Sequence, residues 1–163
     1  MNYVGLDLST KTGFVRLAPD GEVLAKEEIC YPCDTPESMF QMMKQVIQRI
    51  DPVNDQVAIE DFGFGSQRGF QLGGIGWLIR CGLWRKGIHF YLVAPTALKK
   101  FTGAAGNAKK EMIAVEVYKR WGFQSRSNNI TDAYVLAQIA RYQHEPVERI
   151  KSQDEVLKKI NKN

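Results

Sequence analysis

Long apolar runs are missing from this sequence. None approaches the eighteen or more consecutive residues that a transmembrane helix needs. The first residues, Met1-Asn2-Tyr3-Val4, lack the basic segment and apolar stretch of a secretory signal. Both absences predict a protein that makes no membrane contact and stays in the cytoplasm.

Cysteine and histidine are scarce, with three and two residues. An odd number of cysteines in a protein expected inside the cell argues against a disulfide framework. Cys30 and Cys33 have the spacing of half a zinc site, which Cys81, His89 and His144 would have to complete. Because those three are scattered and form no second paired motif, we expect ordinary thiols.

Length and composition indicate one globular domain. The chain has 163 residues, of which 44% are hydrophobic and 25% charged, so it can build one core but not two ordinary domains. We expect the domain to span residues 1–145 and a basic tail to span 146–163. The formal net charge of +4 suits a polyanionic partner without identifying one.

Local patterns predict an α/β order of elements. Three strands come first, at 3–8, 12–18 and 21–29, and the last two flank the turn residues Ala18-Pro19-Asp20-Gly21. Further strands are predicted at 56–60 and 88–93, and helices at 36–50, around 72–83, and at 96–101, 108–121 and 130–142. This order predicts a mixed five-stranded sheet, a three-strand antiparallel meander plus two parallel strands, flanked by helices.

Three acidic residues are expected to meet at one edge of this sheet. Asp7 ends the first strand, Glu60 ends the fourth, and Asp132 is expected in the first turn of the last main helix. Asp7 and Glu60 each follow an apolar run, where a buried charge needs a partner. Clustered carboxylates repel each other unless a cation neutralises them, and oxygen ligands suit Mg²⁺. Taken singly, each acid is equally well explained as a solvated strand end or, for Asp132, as a complement to the helix dipole.

Four motifs together resemble a known family. Asp7-Leu8-Ser9-Thr10-Lys11-Thr12-Gly13, Ala58-Ile59-Glu60, Gly106-Asn107-Ala108-Lys109-Lys110-Glu111-Met112 and Thr131-Asp132-Ala133 are similar in order and spacing to motifs of phage-type RuvC-like Holliday junction resolvases, of the ribonuclease H-like superfamily. The resemblance extends to about Ala140. It implies a homodimer that binds four-way DNA and nicks two strands symmetrically, with two Mg²⁺ or Mn²⁺ ions per active site. If the chain is phage-encoded, it implies the host cytoplasm as the location.

The resemblance also implies a role for each site residue. Asp7 bridges the two ions, Glu60 and Asp132 each hold one, and Lys110 lies near the scissile phosphate. Hydrolysis then needs no general-base side chain, because a divalent ion already lowers the pKa of water, and the product carries a 5′ phosphate. The family usually has a fourth carboxylate one turn before the last aspartate, and Asn129 stands at that position here.

Asn129 has two interpretations. An amide oxygen can ligate a metal without contributing charge, so binding of one ion should weaken and cleavage should fall. Alternatively, Asn129 is the N-cap of the last main helix. Asparagine for aspartate is also the isosteric exchange that traps a nuclease with uncut DNA. We therefore hypothesise that Asn129 replaces a native aspartate and that the chain binds DNA better than it cuts.

A glycine- and lysine-rich segment precedes one predicted helix. Its lysines, Lys99, Lys100, Lys109 and Lys110, and the helix N-terminus both favour phosphate, so we expect contacts with the DNA backbone. A solvated basic loop is the alternative. The resemblance matches Lys110 to a lysine near the scissile phosphate and either Lys99 or Lys100 to a second one. No Walker A motif is present, which argues against a nucleoside triphosphate site.

The segment 62–70 interleaves aromatic residues with glycine. Rings can stack on exposed bases and a guanidinium can pair with phosphate, so this loop is a candidate wedge in the junction, although burial of the rings beneath a turn is as good an explanation. The candidate DNA contacts in it are Phe62, Phe64, Arg68 and Phe70. The next helix carries Trp77 and Trp84 among apolar residues on more than one face, and a dimer interface would bury this excess.

Three other functions compete with a junction resolvase. A ribonuclease H would cut the RNA strand of a linear hybrid as a monomer and would ignore junctions. A non-catalytic junction-binding protein is consistent with Asn129. An actin-type or sugar-kinase ATPase shares the first predicted elements and an acid at the end of strand one, but such proteins close two domains on a nucleotide, and 163 residues supply one.

Overall fold

The computed structural model describes residues 1–61 and 69–160, which contain five strands and six helices. The strands are β1 (Asn2–Asp7), β2 (Lys11–Leu17), β3 (Val23–Cys30), β4 (Asp55–Glu60) and β5 (Phe90–Val93). The helices are α1 (Pro36–Gln48), α2 (Gly69–Arg85), α3 (Pro95–Phe101), α4 (Lys110–Trp121), α5 (Asn128–His144) and α6 (Lys151–Leu157). In these two ranges no helix combines the length and apolar character needed to span a membrane.

The strands form one mixed sheet in the order β3-β2-β1-β4-β5. β1 pairs with β2 and β2 with β3 in antiparallel register, whereas β1 pairs with β4 and β4 with β5 in parallel register. The predicted architecture, an antiparallel meander extended by two parallel strands and flanked by helices, is confirmed. Some predicted boundaries are wrong by two residues. β5 begins at Phe90 and not at residue 88, and α4 begins at Lys110 and not at residue 108.

The start of α1 follows the sequence signals closely. Thr35 is the N-cap, its hydroxyl accepts from the backbone N–H of Ser38 at 3.1 Å, and Pro36 is the first helical residue. Proline loses no hydrogen bond there, because the first N–H groups of a helix have no partner within it. Met42 and Val46 then lie buried against the sheet.

Alternating side chains give the sheet two buried faces. In β1, Val4 and Leu6 belong to a core layer with α1 and α2, whereas Tyr3 belongs to the opposite layer with α3, α4, α5 and α6. β4 alternates in the same way. Since side chains two residues apart share a face, Asp7 and Glu60 end their strands on the face that α5 covers.

α5 lies unusually close to β1 and β2. A Cβ atom at Gly5 would come 1.9 Å from the carbonyl oxygen of Ala133, and one at Gly13 would come 2.1 Å from that of Asn129. Only glycine permits this approach between backbones. It brings the first turns of α5 onto the strand ends that carry the predicted acidic site.

The N-terminus of α5 differs from expectation. Ser127 is the N-cap, and its hydroxyl oxygen accepts from the backbone N–H of Ile130 at 3.3 Å. The interpretation of Asn129 as the N-cap is therefore wrong, because Asn129 is already the second helical residue. Asp132 is the fifth helical residue, so it lies in the second turn and not in the first.

α6 packs on α3 and α5. Val156 and Leu157 are buried in the core layer that contains α5. The predicted basic tail thus includes a helix with buried side chains, and the division of the chain at residue 145 remains a prediction.

Candidate functional site

Asp7 and Glu60 lie side by side at the carboxyl ends of β1 and β4. The two strands pair in parallel with Leu6 opposite Ile59, so the next residue of each strand reaches the same edge of the sheet. Both acidic residues are partly buried, and their side chains hydrogen-bond each other. The structure thus brings together two of the predicted site residues.

The contact between Asp7 and Glu60 is electrostatically unfavourable when both carboxyls are charged. Burial is the largest cause that raises the pKa of both carboxyls, and for each of them a neighbouring carboxylate raises it further. The hydrogen bond between the two side chains raises the pKa of Glu60 and opposes the rise for Asp7. Two carboxylates this close are not both charged unless a cation compensates them, so the pair favours positive charge at this point.

Asp132 reaches the same edge from α5. Its side chain is 14% exposed, and its charge raises the pKa of both Asp7 and Glu60. Lys110, the first residue of α4, places Nζ 3.8 Å from Oδ2 of Asp132. Burial raises the pKa of Asp132, and the positive charges of Lys110 and Lys99 oppose that rise. The three predicted acids therefore form one electrostatically coupled group.

A cavity of about 290 Å³ opens beside this group. The polar residues that line it are Asp7, Ser9, Glu60, Asp61, Lys110 and Asn129. Asp61 was not predicted, and its carboxylate forms an ion pair of 2.7 Å with Arg80 of α2. In the sequence, only the position of Asp61 directly after Glu60 indicated that it could belong to the site. The acidic pair thus borders open space and is not sealed in the core.

The donor set fits a hard divalent cation. Three carboxylates and one amide supply oxygen atoms, which Mg²⁺ and Mn²⁺ prefer to nitrogen and sulfur ligands. Within residues 1–61 and 69–160, no three acidic, histidine or cysteine side chains are already gathered as a ligand set. Instead, the Asp7 and Glu60 carboxyls hydrogen-bond each other, which requires a proton on one of them, and Lys110 pairs with Asp132. Both contacts supply positive charge that a cation could provide in their place.

Asn129 lines the same cavity and is held by two acceptors. Its Nδ2 group donates to the backbone carbonyl oxygen of Lys11 at 2.9 Å and to Oε1 of Glu28 at 3.1 Å. The Ser127 hydroxyl also donates to Glu28, at 2.5 Å. Glu28, an exposed residue of β3, is a second neighbour that the sequence did not reveal.

The four predicted phosphate-binding lysines have different surroundings. The positive charges of Lys110 and Lys99 oppose the rise in the pKa of Asp132 on α5. Of the two lysines on α3, Lys99 is therefore the one whose charge influences the acidic group. Lys100 instead pairs with Glu155 of α6 at 2.5 Å. Lys109 is exposed and is the N-cap residue of α4. Of these four lysines, the structure thus connects Lys99 and Lys110 with the carboxylates.

Only Phe70 of the predicted junction-contacting residues in the segment 62–70 is among the described residues. The other three lie outside the described residues: Phe62, Phe64 and Arg68. Phe70 is fully exposed near the start of α2, so the alternative of a buried ring does not apply to it. Trp77 and Trp84, also on α2, are 61% and 80% exposed.

The cysteines are free thiols. Cys30 and Cys81 are exposed, and Cys33 is buried, which raises its thiol pKa. His144, one of the scattered residues that a zinc site would have required, hydrogen-bonds the hydroxyl group of Tyr91 at 3.0 Å.

Comparisons with known proteins identify the fold. No protein-family model matches the chain, and no curated protein matches it. RuvC from Thermus thermophilus superimposes with a TM-score of 0.72 at 22% sequence identity, covering 87% of this chain and 95% of that one. T. thermophilus RuvC in complex with Holliday junction substrate superimposes with a TM-score of 0.70 at 20% identity, covering 87% of this chain and 94% of that one. The chain therefore has a RuvC-like fold of the ribonuclease H-like class.

Proposed function

We propose that this chain is a Holliday junction resolvase, an endonuclease that nicks four-way or branched DNA symmetrically by metal-dependent hydrolysis. The proposal rests on the meeting of Asp7, Glu60 and Asp132 with Lys110 at one edge of a RuvC-like sheet. A RuvC with this fold binds a Holliday junction substrate. Since folds host many functions, the support has to come from the site residues.

The carboxylates would hold two divalent cations, Mg²⁺ or Mn²⁺. Asp7, which interacts with both other acids, would contribute to both ions, and Glu60 and Asp132 would each hold one. When bound, the ions would lower the pKa of the attacking water and stabilise the departing 3′ oxygen. Glu60 would release its proton on binding, because metal ligands must be deprotonated. Lys110, whose side chain is 58% exposed, would turn from Asp132 to the phosphate.

Asn129 would lower the rate without abolishing it. Its amide oxygen offers a metal no negative charge, so one ion would bind more weakly than it would to four carboxylates. The lysines at 99, 100 and 109, with Phe70, would contact the DNA around this centre, and the same role is proposed for Phe62, Phe64 and Arg68.

The proposed enzyme is a homodimer, because two symmetric nicks need two active sites. Trp77 and Trp84 border an apolar cavity of about 270 Å³ that also contacts Phe90 and Leu92. Exposed apolar surface of this kind marks interaction sites, and a second copy of α2 would cover it. A phage origin and the host cytoplasm as the location belong to the same proposal.

A nicking assay tests the proposal. A synthetic four-way junction, linear duplex and RNA–DNA hybrid are incubated with and without Mg²⁺. We expect paired nicks in the junction only when Mg²⁺ is present. Asp7→Asn should reduce the nicking rate about a thousandfold, because metal binding is impaired. Glu148→Gln, which removes an exposed carboxylate elsewhere, should leave the nicking rate unchanged. Loss of the RNA strand of the hybrid would favour a ribonuclease H, and Mg²⁺-independent junction binding without nicks would favour a non-catalytic binder.

A further inference from the structure

The side-chain amide of Asn129 has a defined orientation. Its two neighbours are the backbone carbonyl oxygen of Lys11 at 2.9 Å and the carboxylate of Glu28 at 3.1 Å. A carbonyl oxygen and a carboxylate only accept hydrogen bonds, so the NH₂ end of the amide must face them. The amide has two N–H groups, and each of the two acceptors can take one of them.

This orientation leaves the amide oxygen for the cavity. Asn129 lines the cavity together with Asp7 and Glu60, and in the described part of the chain Oδ1 accepts no hydrogen bond. A divalent cation binds an asparagine only through that oxygen. If the amide rotated by half a turn, it would present N–H groups to the cation and repel it.

We infer that Glu28 is a positioning residue, which together with the Lys11 carbonyl fixes the Asn129 amide so that its oxygen faces the metal-binding cavity. Glu28 touches neither the cation nor DNA in this role and acts through Asn129. Because this role presupposes the metal-dependent function proposed above, its test also needs a measurement that does not involve metal.

The same contacts make the site unsuited to a carboxylate at position 129. An aspartate in the same orientation would direct one carboxylate oxygen at both the Lys11 carbonyl and Glu28, which are acceptors and one of which is negatively charged. The surroundings therefore match asparagine. This favours Asn129 as the resident residue of the site over an exchange introduced into a four-carboxylate centre.

The first measurement is thermodynamic and is made in EDTA. Asn129→Asp should lower the folding equilibrium constant roughly tenfold, because a donor to two acceptors is lost and a like charge is added. Adding Glu28→Gln should recover most of that loss, since the glutamine amide can donate to an aspartate at position 129. Urea denaturation of the two single variants and the double variant gives the coupling between the two positions. Additive effects would overturn the inference.

The second measurement is Mn²⁺ affinity, by electron paramagnetic resonance without DNA. Glu28→Ala should weaken Mn²⁺ binding roughly two- to tenfold, because the amide loses one of its two anchors. Glu28→Gln should bind like the wild type, since its carbonyl oxygen still accepts from Asn129. Glu27→Gln controls for the change in charge, because Glu27 lies on the same strand and pairs with Arg49 instead.

Ser127→Ala separates orientation from helix stability. Ser127 caps α5 and bonds Glu28 but does not contact the Asn129 amide, so its loss should lower stability and leave Mn²⁺ affinity unchanged. Equal loss of Mn²⁺ affinity in Ser127→Ala and Glu28→Ala would overturn the positioning role. A wild type that binds no Mn²⁺ would overturn both this inference and the proposed function, whereas missing coupling in EDTA with intact Mn²⁺ binding would overturn the inference alone.

Discussion

At the scale of single residues, the Asp7–Glu60 pair carries an electrostatic cost that a cation can remove. Both carboxyls are held in the folded protein with pKa values above those of free side chains, about 6 for Asp7 and about 9 for Glu60, mainly because of burial. A chain that is only required to fold would not gain from two partly buried acids at a cavity wall. The cost is therefore best explained by a ligand of positive charge.

This pair predicts how stability depends on pH. A raised pKa in the folded state means that the contribution to stability is full below the unfolded values near 4 and is lost as pH rises through the folded values. In EDTA, the free energy of unfolding should therefore fall between pH 5 and pH 9. Urea denaturation across this range checks it.

Glu60→Gln tests the origin of this pH dependence, since the glutamine amide imitates a protonated glutamate that cannot titrate. It should flatten the pH dependence and be more stable than the wild type at pH 8 in EDTA. Mg²⁺ should stabilise the wild type at pH 8 and have no effect on the variant. A wild type whose stability is independent of pH would contradict the raised pKa values of the pair.

Removing the Lys110 side chain should affect catalysis and leave stability nearly unchanged. Its ion pair with Asp132 is 3.8 Å long and its side chain is largely exposed, so the pair adds little to folding. Lys110→Ala should leave the melting temperature within a degree or two and reduce junction nicking about a hundredfold, as the loss of a phosphate-stabilising charge does. Lys119→Ala, an exposed lysine on the same helix that pairs with Glu116, should change neither quantity. Full nicking activity in Lys110→Ala would show that Lys110 does not stabilise the phosphate.

At the scale of elements, the approach of α5 to β1 determines where Asp132 lies. The backbone of α5 fits against Gly5 without room for a side chain. Gly5→Ala places a methyl group against a backbone carbonyl that cannot move aside, so it should destabilise the protein by about 3 kcal/mol or more. Gly73→Ala in α2, where nothing lies within 4 Å, should instead stabilise by about 0.5–1 kcal/mol. Urea midpoints of both variants test the prediction, and similar midpoints would refute it.

The sequence signals for the elements were strong in some places and ambiguous in others. Thr35-Pro36 and the apolar spacing that follows predicted α1 correctly, because cap and periodicity agree there. The start of α5 was misjudged, since Ser127 and Asn129 are both good caps and only backbone geometry decides between them. That geometry depends on packing against β2, which a local pattern does not contain.

At the scale of the whole molecule, the order of elements could be predicted from local patterns. Asp7 and Glu60 were candidates because each ends an apolar run, and Asp132 because Thr131-Asp132-Ala133 resembles a family motif. Asp61 and Glu28 could not be predicted. Glu28 meets Asn129 across about a hundred residues of sequence, and an exposed glutamate on an edge strand looks like ordinary solvated surface. Only tertiary structure gives it a role.

The apolar face of α2 predicts the assembly. Trp84→Glu should convert a dimer into a monomer in sedimentation velocity, because it places a charge in the proposed interface. Tyr118→Glu is the control, since Tyr118 is another exposed aromatic residue and lies on α4, outside the α2 face. A wild type that is monomeric at micromolar concentration would contradict the homodimer.

The central claim is that Asp7, Glu60 and Asp132 hold divalent cations against a DNA phosphate. The most direct measurement is the anomalous scattering of Mn²⁺ in crystals of the protein with an uncut four-way junction. We predict peaks within coordination distance of all three carboxylates and of one phosphate. Peaks only at other positions, or none beside these carboxylates at saturating Mn²⁺, would contradict the claim.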